Sequence, residues 1–129
     1  MKYEDLIKTI GADERFCIVH QRYDEAFFGD YQIDLLFCNS IRIELFNDRG
    51  DVEVNLLYPR FLKTERIPIR FALDYLKAHG IYTESMIFDT TEDQDILLHN
   101  VNALQIILKY GLLGKIARQW GAYQRRMRH

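Results

Sequence analysis

The fold is decided by residues 31–57, which read YQIDLLFCNSIRIELFNDRGDVEVNLL. Apolar residues alternate with polar ones in three runs, and turn-forming residues separate the runs. The alternating apolar positions are Tyr31, Ile33, Leu35 and Phe37, then Ile41, Ile43 and Leu45, then Val52, Val54 and Leu56. This pattern predicts an antiparallel meander with one buried face.

The register of the meander follows from placing all three apolar sets on the same side, because a slip of one residue would turn a strand inside out. Two loops result, residues 38–40 and residues 47–50, and the second offers Gly50 where a positive φ is needed. The predicted pairs are Phe37 with Ile41, Leu35 with Ile43, Leu45 with Val52, and Ile43 with Val54.

The segments around the meander predict one further strand and several helices. Residues 2–10 have helical spacing before Gly11, and residues 15–23 are rich in aromatic and β-branched side chains typical of a strand. Helices are also predicted from Pro68 to Gly80, from Thr91 through Leu108, and as a docked amphipathic segment over residues 113–127. We therefore expect a single α+β domain over residues 1–129, with a meander of about four strands packed against helices.

Length and composition indicate an ordinary globular domain. The chain has 129 residues, of which 48% are hydrophobic and 28% charged, enough for one core. The first five residues, MKYED, are unlike the basic segment of a signal peptide, and the most apolar stretch is too interrupted to span a bilayer. With only Cys17 and Cys38 present, we expect a cytoplasmic protein with two reduced, buried thiols and no membrane contact.

Charge is distributed unevenly along the chain. The last acidic residue is Asp95, and six Lys and Arg residues follow it. Residues 1–95 hold the other 11 Lys and Arg against all 19 acids, so an acidic body precedes a basic tail. The cations of the tail are Lys109, Lys115, Arg118, Arg125, Arg126 and Arg128.

The predicted register aligns three carboxylates on the face opposite the core. Asp34 is expected opposite Glu44, and Glu44 opposite Glu53, although like charges facing across strands are unfavourable by roughly 0.2–1 kcal/mol per pair. Three explanations are open: neutralisation by Arg42 or by tail arginines, a cationic protein partner, or paired carboxylates that act as acid and base or bind a divalent cation. Hydrophobic side chains share this face, and the candidate partner-binding residues are Asp34, Glu44, Glu53, Phe46 and Leu57.

Other motifs offer little chemistry. Cys17 and His20 are expected on opposite faces of a strand, and no second pair completes a zinc site. The RGD triplet at residues 49–51 has the composition of a turn, and no glycine-rich phosphate-binding motif occurs. His79 is expected to interact with carbonyls at a helix end. We predict no catalytic residue, no bound metal and no cofactor.

One stretch resembles a known family. Phe28-Gly29-Asp30-Tyr31, an alternating hairpin, the turn at residues 47–52 and a following amphipathic helix are similar to small bacterial immunity proteins of polymorphic toxin systems, over about Phe27 to Leu76. The resemblance implies a cytoplasmic inhibitor that binds a toxin through surface contacts, without cofactor or turnover, and it assigns no binding residues.

The leading hypothesis is therefore a non-enzymatic binding protein that presents its acidic sheet face to a basic protein partner such as a toxin. A nucleic-acid-binding protein that uses the basic tail, residues 115–129, is the first alternative. A carboxylate-dependent hydrolase that uses Asp34, Glu44 and Glu53 is the second.

Overall fold

The computed structural model describes residues 2–26, 29–83 and 92–128, in which five strands and five helices form one α+β domain. The predicted fold class is confirmed, with one strand more than expected. Phe27, Phe28, Thr91 and His129, which take part in predictions made above, lie outside the described residues. The elements are α1 (Tyr3–Gly11), β1 (Phe16–Asp24), β2 (Asp30–Phe37), β3 (Ile41–Asp48), β4 (Asp51–Arg60), β5 (Lys63–Pro68), α2 (Ile69–Ala78), α3 (Asp93–His99), α4 (Val101–Lys109) and α5 (Leu113–Met127).

The strands form a single antiparallel meander in the order β1-β2-β3-β4-β5. The predicted register of the β2–β3 hairpin is confirmed, with Phe37 opposite Ile41. The predicted register of the β3–β4 hairpin is wrong by two residues, because Leu45 lies opposite Val54 rather than Val52. A shift of two residues leaves every side chain on its predicted face, so apolar alternation cannot detect it.

Turn geometry decides the β3–β4 register. The loop contains only Arg49 and Gly50, and both are at positive φ, 55° and 92°. Two-residue hairpin turns need positive φ at both positions to match the twist of the strands. The Oδ1 atom of Asp30 accepts a hydrogen bond from the Arg49 backbone N–H over 2.8 Å, and Oδ1 of Asn47 accepts one from Gly50 over 3.0 Å. These contacts stabilise the tight turn in place of the predicted four-residue loop.

Strand β5 was missed by the sequence analysis, which placed Pro68 in the first turn of a helix. Pro68 instead ends β5, and α2 begins at Ile69. The strand lacks apolar alternation because it lies at an edge of the sheet, where polar side chains are common. Beyond the end of β5, Asp93 accepts hydrogen bonds from the Val54 backbone N–H over 3.2 Å and from Nε of Arg70 over 2.9 Å.

The helices pack on one face of the sheet, here called the inner face, and share a single apolar core with it. The predicted long helix after residue 91 is two helices, α3 and α4, that meet at Asn100. Asn100 is 1% exposed, and its Nδ2 atom donates to the Ile96 carbonyl over 2.9 Å while Oδ1 accepts from the Tyr82 hydroxyl over 3.3 Å. A buried amide thus forms the corner between the two helices.

Helix α5 docks on the inner face through its apolar side, as predicted. The Trp120 ring meets the edge of the Phe71 ring at 4.9 Å between centroids and stacks on Tyr123 at 5.6 Å. Gly114 allows the close approach to β4, since a Cβ atom there would lie 3.2 Å from the Tyr58 hydroxyl oxygen. No helix of the described chain is both long enough and apolar enough to cross a bilayer.

Candidate functional site: the outer face of the sheet

The sheet face opposite the helices, here called the outer face, is the candidate site. Buried apolar residues of all five described helices join the core on the inner face, and α5 does so through Ile116 and Ala117. No described helix therefore covers the outer face, where Val19 is 60% exposed. A groove of about 300 Å³ crosses this face, and its lining includes Asp34, Arg42, Glu44, Leu57, Thr64 and Arg66.

Two of the three predicted carboxylates meet on this face. Asp34 lies directly opposite Glu44, as predicted. Glu44 then faces Asn55 on β4, and Glu53 faces Phe46 one step further along the sheet. The predicted row of three acids is thus a pair, because the β3–β4 hairpin closes two residues tighter than expected.

The Glu44 carboxylate is the less exposed of the pair, with 14% of its side chain accessible. Its Oε1 atom accepts hydrogen bonds from Nε of Arg66 over 3.3 Å and from Nδ2 of Asn55 over 3.5 Å. Its Oε2 atom accepts none from the described residues. Glu44 lines the groove, so its carboxylate has acceptor capacity to spare there.

The Asp34 carboxylate is held more loosely. Its Oδ2 atom lies 3.5 Å from Nδ1 of His20, and its Oδ1 atom accepts a hydrogen bond from Nε2 of Gln32 over 3.4 Å. The Glu44 carboxylate is thus paired with Arg66 within the chain, whereas Asp34 lies beside His20. Arg42 forms no ion pair with a described acid, and the tail arginines lie on the other side of the sheet.

A β-bulge in β1 corrects the expected geometry of Cys17 and His20. The register shifts between Ile18 and His20, so Cys17 lies opposite Leu36 and His20 opposite Asp34 on the same outer face. The prediction that they face opposite ways is wrong because the bulge adds one residue to the strand. Cys17 is also exposed rather than buried. The described residues contain no cluster of three or more His, Cys, Asp or Glu side chains suited to a metal ion.

The predicted apolar members of the site differ in accessibility. Phe46 is partly buried beside Glu53, whereas Leu57 is 7% exposed and forms part of the groove lining. Both lie on the outer face, opposite the core.

The tip of the β4–β5 hairpin is a second exposed feature, which the sequence analysis missed together with β5. Phe61 and Leu62 are 92% and 90% exposed, the highest values among the large hydrophobic residues described. Leu62 has a φ of 76°, a left-handed conformation that is costly for a residue with a Cβ atom. Thr64 and Arg66 of the same hairpin line the groove, so the tip adjoins it along the chain.

One smaller prediction is confirmed. Nδ1 of His79 lies 2.8 Å from the Tyr75 carbonyl oxygen at the end of α2, and the two rings stack at 4.1 Å. His79 therefore has a structural role at a helix end.

The fold and its outer face define a class of protein in structural terms: an α+β domain whose antiparallel sheet carries helices on one side and an open, charged groove on the other. Comparison of the chain with protein-family models, with curated proteins and with solved structures finds no significant match. The resemblance over residues 27–76 therefore remains a hypothesis.

Proposed function

We propose that this chain is a non-enzymatic binding protein that contacts a protein partner through the outer face of its sheet, in the manner of a toxin-neutralising immunity protein. The observation that carries the proposal is the open groove, in which a little-exposed carboxylate retains an oxygen without a described donor. Solvent reaches this oxygen in the free chain, so it can accept a hydrogen bond from an incoming donor.

The chemistry of the groove favours a cationic side chain from the partner. A lysine or arginine placed beside Asp34 and Glu44 would make charge-assisted hydrogen bonds, which are about twice as strong as neutral ones. Arg66 does not block this position firmly, because its side chain is 61% exposed and such ion pairs are weak. The partner is accordingly a protein with a basic contact surface.

The hairpin tip supplies the apolar part of the same interface. Interfaces obtain most of their binding energy from a few buried anchors, and aromatic residues are favoured among them. Phe61 and Leu62 have no apolar environment of their own in the described chain, and burial of each in a partner's pocket is worth about 1.5–3 kcal/mol. A charged groove beside an exposed apolar hairpin tip suits recognition of a protein surface, which offers both charged and apolar contacts.

The hydrolase alternative receives less support. Glu53 is displaced from the Asp34–Glu44 pair, so three carboxylates do not converge on one point of the groove. The arrangement lacks the third acid on which that hypothesis depended.

The test uses proteins encoded beside this gene in its native genome, purified and titrated against the chain by calorimetry. We expect one of them to bind, and Glu44→Gln to weaken binding at least tenfold because a charged acceptor is lost. Asp74→Asn is the matched control, since Asp74 is an exposed carboxylate on α2, on the helical side. The proposal fails if no neighbouring product binds, or if Glu44→Gln and Phe61→Ser both bind as tightly as the unmodified chain.

A further inference from the structure

Helix α5 presents a basic surface that the proposed function does not use. The helix is anchored by its apolar side, where Ile116, Ala117 and Gly121 are buried and the Trp120 ring packs on Phe71. The opposite side is left in solvent. Its position on the helical side of the sheet separates it from the outer-face groove.

Four exposed cations of α5 form one stripe. At about 100° per residue they fall within an arc of roughly 100°, and at 1.5 Å per residue they extend over about 16 Å of the helix. The stripe, here called the basic stripe, consists of Lys115, Arg118, Arg125 and Arg126. Gln119 lies about 20° beyond this arc, and α5 contains no acidic residue.

Intramolecular ion pairing does not account for the basic stripe. None of its four side chains pairs with an acid among the described residues, although residues 1–95 hold a large excess of acids. The ion pairs of the described chain join other elements, for example Arg66 with Glu44 and Arg70 with Asp93. The cations of α5 therefore have no described counter-charge.

The stability of α5 does not account for the basic stripe either. Arg125 and Arg126 lie in the last turn, where the helix dipole favours cations. Lys115 lies in the first turn, which holds no acidic residue and where the dipole disfavours a positive charge. The dipole therefore accounts only for the cations at the C-terminal end of the stripe.

We propose that the basic stripe binds duplex DNA by its phosphate backbone, independently of base sequence. Four cations along about 16 Å match the dense, regular charge of a duplex, and arginine forms bidentate hydrogen bonds with phosphate oxygens. Gln119 adds a neutral donor beside the stripe. The apolar anchoring of α5 holds the helix backbone in place, so only the side chains of the stripe have to be ordered on binding.

The test is fluorescence anisotropy with a labelled 20-base-pair duplex of arbitrary sequence. If all four cations contact phosphates, the logarithm of affinity falls with the logarithm of salt concentration with a slope of about −3.6, or about a hundredfold between 50 and 200 mM salt. Changing every residue of the basic stripe to Gln should weaken binding more than tenfold at 50 mM salt and flatten the slope. Fluorescence of Trp120, the only tryptophan, reports whether α5 stays docked.

Two further variants distinguish an effect of the basic stripe on DNA binding from an effect of net charge and from loss of folding. The charge-matched control removes four exposed cations elsewhere and should keep binding within about threefold: Arg22→Gln, Arg42→Gln, Arg49→Gln and Lys63→Gln together. Lys115→Glu places an acid in the first turn, which favours the helix, yet it should weaken DNA binding. The proposal is overturned if no binding occurs at 50 mM salt, if the control loses as much affinity as the stripe variant, or if vesicles containing phosphatidylserine bind and DNA does not.

Discussion

The Nε atom of Arg66 on β5 donates a hydrogen bond to Oε1 of Glu44 on β3 over 3.3 Å, reaching across the intervening strand β4. On that intervening strand, Asn55 rather than Glu53 lies opposite Glu44. Asn55 is 8% exposed and donates to the same oxygen, so a neutral amide sits where a third acid was expected. The outer face consequently has a groove of mixed charge instead of a uniformly acidic row.

The Glu44–Arg66 pair should contribute little to stability. We expect a double-mutant cycle with Glu44→Gln and Arg66→Gln to give a coupling energy of about 0.2–1 kcal/mol, because Arg66 is largely exposed and solvent screens the pair. Urea unfolding of the four proteins measures it. The same cycle with Arg22→Gln in place of Arg66→Gln should give a coupling near zero, and a Glu44–Arg66 coupling above about 2 kcal/mol would contradict the expectation.

Leu62→Gly should stabilise the fold. Relief of the left-handed strain is worth about 1–2 kcal/mol, and the greater entropy of glycine in the unfolded chain offsets about 0.4–1 kcal/mol of it. We expect the free energy of unfolding in urea to rise by about 0.5–1 kcal/mol. Phe61→Gly is the control, since Phe61 is not at positive φ and gains no such relief. A Leu62→Gly protein less stable than the unmodified chain would rule out strain at the tip.

Asn100→Ala should destabilise the corner between α3 and α4. The change removes the hydrogen bonds to the Ile96 carbonyl and from the Tyr82 hydroxyl at a position 1% exposed, and such losses cost about 1–3 kcal/mol. Thermal and urea unfolding both report the effect. Asn102→Ala, at an exposed position two residues further on, should leave stability unchanged or raise it slightly. Equal stability of the two variants would show that the buried amide is dispensable.

Stability should decline at high pH in part through Tyr31. Burial raises the pKa of Tyr31 to about 12, with a smaller contribution from the nearby carboxylates of Glu92 and Asp95. The folded chain thus holds this proton more tightly than the unfolded chain, whose tyrosine pKa is near 10.0. Its contribution to stability is complete below pH 10 and is lost as the pH rises from about 10 to about 12.

The measurement is the urea midpoint at pH 8, 10 and 11 for Tyr31→Phe and the unmodified chain. Tyr31→Phe should decline less steeply between pH 10 and 11, because the titrating group is gone. Tyr110→Phe is the control, since Tyr110 is 62% exposed, and its decline should follow that of the unmodified chain. Identical slopes for all three proteins would exclude Tyr31 as a cause.

The predicted site was partly correct because the face on which a side chain lies and the residue opposite it are determined by different features of the sequence. Asp34, Glu44 and Glu53 all lie on the outer face, as alternation with the buried residues requires. Their mutual distances depend on hairpin closure, which alternation does not encode. The prediction that Cys17 and His20 lie on opposite faces was wrong for a related reason, since the bulge at Val19 interrupts the period of two in β1.

Local pattern was sufficient for the class of fold, for the buried face of β2, β3 and β4, for the β2–β3 hairpin and for the docking of α5, because each depends on side-chain spacing within one or two neighbouring segments. The tertiary structure alone decided that Asn55 meets Glu44, that β5 joins the sheet and that Phe61 and Leu62 project from its end. Registers that differ by two residues present the same faces, and a polar edge strand has no apolar period. The register of the β3–β4 hairpin and the pairing of β5 were both settled by backbone hydrogen bonds and by the φ angles that each turn allows.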